Sequence, residues 1–363
     1  MTRLANVWHE LTEGHSLSTL WQDFKREARS SFESSAPRLS PAGTDVRGWR
    51  RVWLFARAMF FRLTPARRVL LLFAVLMMFS FRTGSGEQAQ SDAGGGPFAA
   101  AICLLVLLAL EVADRVAMKR DLEVARDIQS WLVPQSPPAV EGLDIAFASR
   151  PANTVAGDYY DILPLPATAG AGPSVLLVVA DVAGKGIPAG LLMAGFRSSL
   201  HALAGTTRDL SELMTRLNRS SFADSYGGRH FTTVFLAEYD AGSHSIAYIN
   251  AGHNPPLLRS ASGTIAQLET GGLPCGAFPN PSYEIGRLSA GPGDLLLIYT
   301  DGVVEAVNDA GEEYGLARLY AFVRDGGGPS AGLQQRLFAS IEAFTGRAPQ
   351  HDDITAMVIQ ITG

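Results

Sequence analysis

The chain has 363 residues, 47% hydrophobic and 18% charged, with a net charge of −5 and two cysteines. That is enough apolar material for one large domain or two, and it excludes a disordered or fibrous chain. Cys103 and Cys275 lie far apart with no CxxC pair, which argues against a disulfide framework and a thiolate zinc site.

The charge is unevenly spread. Residues 1–68 carry twelve Lys/Arg against six Asp/Glu, leaving eighteen against twenty-nine in the rest. The arginines are interleaved with Trp49, Trp53, Phe55, Phe60 and Phe61 and run straight into apolar sequence. This suits a membrane surface better than a nucleic acid, so no nucleic-acid partner is expected.

Two apolar runs follow, residues 69–81 (VLLLFAVLMMFSF) and 97–113, separated by a polar loop that includes Gly94, Gly95 and Gly96. Each is shorter than the roughly 20 residues that usually span a bilayer. Snorkelling by Arg67, Arg68 and Arg82, together with local thinning, closes that gap. Neither run has a polar face, which favours lipid over a hairpin buried in a soluble domain. Seven arginines and no acid between residues 46 and 68 set this side in the cytoplasm by the positive-inside rule. Two crossings then return the C-terminal part to the cytoplasm, and the expected location is the cytoplasmic (inner) membrane.

Between residues 98 and 133 there is neither glycine nor proline, so a single helix is expected to leave the membrane and stop at Pro134. Met118, Leu122, Ala125, Gln129 and Leu132 are spaced by threes and fours. That stripe fits a homodimer seam through this linker helix and fits packing on the following domain equally well. The expected organisation is a basic cytoplasmic region (1–68), two transmembrane helices with a short loop (69–113), a linker helix with a Pro-rich turn (114–141), and a C-terminal domain (142–363).

In that domain, β-branched, leucine-rich and aromatic runs predict strands over 143–149, 175–180, 231–239, 245–249, 294–299 and 354–361. Helices are predicted near 187–204, 209–224, 313–324 and 332–345. Strands cluster without a regular βαβ alternation, which points to an α+β layered sandwich.

The chemistry lies in where the aspartates fall. Asp181 ends the apolar run SVLLVVAD and Asp301 ends DLLLIYTD, while Asp158 sits in GDYYD and Asp352 and Asp353 precede the last strand. A carboxylate at the exit of a buried strand is costly unless a cation compensates it. Several carboxylates at loop–strand junctions suit hard, oxygen-seeking Mg²⁺ or Mn²⁺.

The segments GDYYD, ADVAGKGIPAGLLM, NAGHNPPLL, YTDGVVEA and DDIT resemble, in that order, the motifs of PPM-type metal-dependent protein serine/threonine phosphatases of the bacterial sporulation and stress-response (SpoIIE-like) branch. The lead-in LEVARDIQSWLVPQSPP resembles that branch too, so the likeness covers roughly residues 120–361. It implies a β-sandwich flanked by helices and makes 142–363 a PPM-type phosphatase domain using two Mn²⁺ or Mg²⁺ ions. It implies that Asp181 bridges both ions, with the Val182 carbonyl beside it, and that Asp158 is a ligand of one. Asp301 and one of Asp352 and Asp353 are implied as ligands of the other, Asp352 being favoured by its place in the motif. The implied substrate is a phosphoserine or phosphothreonine protein, of the anti-sigma-factor antagonist type. The alternative is a non-catalytic membrane signalling scaffold on the same fold.

Other residues have plainer readings. Gly184 and Gly186 are read as keeping bulk away from the ions, Lys185 as a solvated lysine or a phosphate contact, and His253 as a loop brace, with a substrate role as its alternative. Asp161 is read as support for Asp158 or a helix cap, and Cys275 as unreactive.

Overall fold

The computed structural model describes residues 57, 60–61, 63–79, 95–165, 167, 174–225 and 227–362. Most of the basic region 1–68 and the loop after the first apolar run lie outside the described residues. Gly95 and Gly96, expected in that loop, instead open a helix. The chain divides into two compact units, Met1–Ala117 and Met118–Gly363.

The first unit contains α1 (Pro65–Phe79) and the first part of α2 (Gly95–Leu132). Arg67 at the start of α1 is paired with Asp114 at 2.7 Å and Glu111 at 3.5 Å on α2. Apolar side chains such as Leu76, Phe98 and Leu105 are exposed, while Ala74 and Ala100 are buried. Pro97–Leu132 is long and apolar enough to cross a membrane, and it is the one such helix among the described residues. α1, with 15 residues, rises about 22 Å, short of the ~30 Å hydrocarbon layer.

The second unit is a four-layer sandwich. One sheet has the order β1 (Leu143–Arg150), β11 (Ile354–Ile361), β10 (Leu295–Tyr299), β6 (Leu257–Arg259), β7 (Ile265–Gln267). The other runs β2 (Asp158–Leu165), β3 (Ser174–Val182), β4 (Thr232–Asp240), β5 (Ser245–Ala251), β8 (Gly271–Gly272), with β9 (Gly286–Ser289) also on β5.

Alternation along β3 shows why these strands are apolar throughout. Val175, Leu177 and Val179 face the core between the sheets with Phe235, Ile298 and Met357. Leu176, Val178 and Ala180 face outward to Met193 and Leu200 of α3 (Ile187–Ala204) and Met214 and Leu217 of α4 (Leu210–Asp224). Successive side chains point to opposite faces, and here both faces are covered. Each buried Val or Leu contributes roughly 1.5–3 kcal/mol. On the far side, α6 (Gly315–Asp325) and α7 (Ser330–Thr345) cover β10 and β11 through Leu319, Val323, Leu337 and Ile341. α4 is capped by Asp209, whose carboxylate accepts from the amides of Ser211 and Glu212.

The α+β sandwich matches the expectation from sequence. The unpredicted strand of consequence is β2, whose Asp158 and Asp161 break the apolar pattern at buried positions. A single-turn helix, α5 (Asp301–Val304), follows β10 and was also unpredicted.

The end of α2 meets the second unit's core. Leu132 packs against the cluster under α3 and α4, whereas Ile128 is exposed. Gln129 pairs twice with one backbone unit: its Nε2 donates to the Ala156 carbonyl (2.6 Å) and its Oε1 accepts from the Ala156 amide (2.8 Å).

Candidate functional site

Strand register brings the aspartates together. Asp158 and Asp181 are direct partners across the antiparallel β2–β3 ladder. β10 and β11, neighbours in the other sheet, deliver Asp301 just after Tyr299 and Asp352–Asp353 just before Ile354. Four carboxylate-bearing chain segments thus meet where the two sheets end.

Asp158 is buried, and its Oδ2 accepts from Thr300 Oγ1 at 2.9 Å. Thr300 is itself held by the β11 backbone, since the Thr355 amide donates to its Oγ1 at 3.0 Å. The one contact therefore ties a carboxylate of one sheet to the other sheet. Gly302 allows α5 to press on β11: a Cβ there would lie 2.1 Å from the Asp353 carbonyl oxygen.

The neighbours Asp352 and Asp353 have different surroundings. Asp353 is buried, and its two oxygens accept from the amides of Ala152 (2.7 Å) and Gly157 (2.6 Å). Asp352 is half exposed and accepts from Lys185 Nζ at 2.9 Å, which also donates to the His351 carbonyl at 2.6 Å. Lys185 is thus bound to a carboxylate rather than simply solvated.

Electrostatics follow from this crowding. Burial, then Asp181 and Asp353, hold the Asp158 carboxyl well above the ordinary range. Burial, then Asp301, Asp352 and Asp353, push Asp181 up to about 7. Burial and Asp352 raise Asp301, and burial and Asp301 raise Glu305. Repelling carboxylates of this kind are relieved by protons or by cations.

The donor set fits hard divalent cations: carboxylates predominate, with neither thiolate nor imidazole among them. Among the described residues no three His, Cys, Asp or Glu side chains close on a single point.

Other expectations change. Gly184 and Gly186 have open space beside them, and their φ values of +119° and +73° are ones at which other residues are strained. Asp161 does not support Asp158. It accepts from Tyr159 Oη (2.5 Å) and the Ile162 amide (2.8 Å) and pairs with His201 Nε2 (2.7 Å), tying β2 to α3. The Cys275 thiol is buried and pushed up to about 12, which leaves it inert. The sequence reading missed Thr300 and the contact made by Gln129. An amide within an otherwise apolar stripe was the available signal for Gln129.

Known proteins agree with this picture. A family model described as Stage II sporulation protein E (SpoIIE) matches residues 171–362, beginning before β3 and so after Asp158. The chain is 32% identical over 240 residues to Protein IcfG of Synechocystis, covering 59% of this chain and 37% of that protein. It is 31% identical over 195 residues to Phosphoserine phosphatase RsbU of Bacillus subtilis, covering 53% and 56%. The chain thus spans less than two thirds of either relative. Among solved structures, the SiaA-PP2C domain of Pseudomonas aeruginosa superimposes with a TM-score of 0.60 at 20% identity, covering 68% of this chain and 98% of that one. The RsbU and RsbW domains of Rv1364c from Mycobacterium tuberculosis give 0.53 at 27% identity, covering 62% and 63%. The C-terminal unit has the PP2C fold. With the family model matching more than half of its residues, the chain belongs to the SpoIIE family.

Proposed function

We propose that this protein is a membrane-anchored, metal-dependent protein phosphatase that hydrolyses phosphoserine or phosphothreonine on a signalling partner. The observation that carries this reading is the meeting of Asp158, Asp181, Asp301 and Asp352 at the sheet ends, where burial and mutual repulsion raise the first three. Such an arrangement is costly to folding and calls for cations.

In this reading Asp158, Asp181, Asp301 and Asp352, with the Val182 carbonyl beside Asp181, would hold the two ions, Asp181 contributing to both, Asp158 to one, and Asp301 and Asp352 to the other. Two bound ions would lower the pKa of a shared water and offset phosphoryl charge. The chain's own groups orient the ligands. Thr300 fixes the Asp158 carboxylate, and Asp353 holds the 152–157 loop through two amides. Lys185, on Asp352 in this structure, is within reach of a phosphate that approaches that side. A cleft beside Asp352, lined by Arg150, Glu305, Glu342 and His351, offers room for residues flanking the phosphate.

The domain limits 69–113, 114–141 and 142–363 belong to this proposal. The anchor is supported by the exposed apolar surface of α1 and α2, and the cytoplasmic placement by the arginine bias. Serine phosphate as substrate is supported by the relative named for it. An anti-sigma-factor antagonist is the partner type implied by the motif resemblance. A homodimer through α2 is kept as a proposal for the exposed part of that helix.

The test uses the full chain in detergent with a phosphoserine peptide. Turnover in Mn²⁺ that disappears in excess chelator is expected. Undiminished turnover in chelator overturns the metal assignment, and a folded, Mn²⁺-loaded protein without turnover favours the scaffold.

A further inference from the structure

Residues 155–157 run just ahead of β2 and are buried. Gln129, in the last turn of α2, holds Ala156: its Nε2 donates to the Ala156 carbonyl at 2.6 Å and its Oε1 accepts from the Ala156 amide at 2.8 Å. Gly190 of α3 lies against the same segment. A Cβ there would stand 2.4 Å from Val155 Cγ1, so glycine is what lets the helix come so near. Asp353 holds the end of the segment, accepting from the Gly157 amide at 2.6 Å. The remaining neighbour is the candidate metal site itself. A Cβ on Gly157 would lie 3.2 Å from the Val182 carbonyl oxygen and 3.6 Å from Asp181 Oδ1, and the next residue in the chain is Asp158.

We propose that Gln129 is a positioning residue for the metal site: by clamping Ala156 it sets residues 155–157 against Asp181 and the Val182 carbonyl, so that the end of α2 belongs to the support behind the cations. The proposal rests on the phosphatase reading above and adds to it a residue outside the carboxylate set.

The amide makes this clamp directional. Ala156 offers one donor and one acceptor, and the Gln129 side chain answers both, as a paired residue on a neighbouring strand would. Both the position and the orientation of the segment are thereby fixed, which an apolar contact would leave free to slide. Docking of the helix end does not by itself account for a glutamine, because Leu132 already packs into the cluster under α3 and α4. Leu132 supplies burial, whereas Gln129 selects the backbone unit that the helix end meets. From there the links to the ligands are short: Gly157 lies against Asp181 and Val182, its amide is on Asp353, and the chain itself runs into Asp158. A displacement of residues 155–157 is therefore felt first at the carboxylates.

The experiment uses the full chain in detergent, with Mn²⁺ alone as the probe for binding and a phosphoserine peptide for turnover. Gln129→Met keeps the length of the side chain and loses both hydrogen bonds. It should weaken Mn²⁺ binding, followed by electron paramagnetic resonance, about 10- to 100-fold, in the range for residues that orient metal ligands. kcat should fall with little change in KM. Asp209→Ala serves as the control for stability alone, since it removes the cap of α4 next to Arg208, which bonds Ser174 at the opposite end of β3 from Asp181. Its Mn²⁺ affinity should equal that of wild type. If Gln129→Met does not fold, Gln129→Ala, which leaves room for water to pair with Ala156, decides by the same readouts. Wild-type Mn²⁺ affinity in a folded Gln129 variant overturns the positioning role while leaving the phosphatase reading standing, and so does an equal loss of affinity in Asp209→Ala. A wild-type chain that neither binds Mn²⁺ nor turns over peptide overturns both together.

Discussion

Asp158 and Asp181 stand directly opposite each other in the β2–β3 ladder, so two acidic side chains share one cross-strand position at the edge of a buried sheet. Like charges in that relation destabilise a sheet. Here the cost is compounded by burial, and Asp181 raises the proton affinity of Asp158. Asp181 also feels Asp301 and Asp352, which makes it the common member of the cluster. Asp181→Asn is therefore expected to lower kcat more than any other single carboxylate change, by at least about 100-fold. The same variant should melt at a higher temperature than wild type in chelator, because one buried charge is gone. Kinetics and thermal melts with and without Mn²⁺ check both.

The raised carboxyls set a pH dependence. In the metal-free protein the folded chain holds protons that the unfolded chain, with carboxyls near 4, has already released. Stability from Asp181 is thus fully present below about 4 and is lost as pH rises toward about 7. Metal binding runs the other way, since the cation must displace that proton. Mn²⁺ affinity should climb steeply up to about pH 7 and level off above it. Titrations between pH 5 and 8 would show a flat affinity if Asp181 were already ionised throughout.

Asp352 and Asp353 should separate cleanly. Asp353→Ala removes the acceptor of two backbone amides and is expected to destabilise the fold by about 2–4 kcal/mol, with or without metal. Asp352→Asn should leave the chelator melting temperature nearly unchanged while weakening Mn²⁺ binding and turnover. The reverse pattern would make Asp353 the ligand.

Gln129→Ala leaves the amide and carbonyl of Ala156 without their side-chain partner. A loss of about 1–3 kcal/mol is expected. Hydrogen exchange at residues 152–157 should quicken more than elsewhere in the sandwich, and uniform exchange would show that the contact does not hold this loop.

Membrane attachment has a direct measure. The full chain should sediment with membranes and be released by detergent but not by high salt, since the exposed apolar faces of α1 and α2 do not depend on charge. Release by salt alone would reduce the attachment to the arginine-rich region.

Alternation and composition made much of this chain legible. β3, β4, β10 and β11 are apolar runs bounded by turn formers, and α3, α4, α6 and α7 follow helical spacing, so their existence is written locally. Position also singled out Asp158, Asp181, Asp301, Asp352 and Asp353 as candidates, as acids at the ends of apolar runs and within the resembling motifs. It did not reveal their assembly. Asp158 lies on β2, a strand whose acids disguised it, and it faces Asp181 only because of the β2–β3 register. The different surroundings of Asp352 and Asp353 depend on the amides of Ala152 and Gly157, some 200 residues earlier in the chain. Thr300 looks ordinary in sequence because a hydroxyl acquires its meaning from a partner on another strand. Local pattern reports which face of an element is buried; which polar groups meet there is decided by pairing across the two sheets, and that exists only in the folded chain.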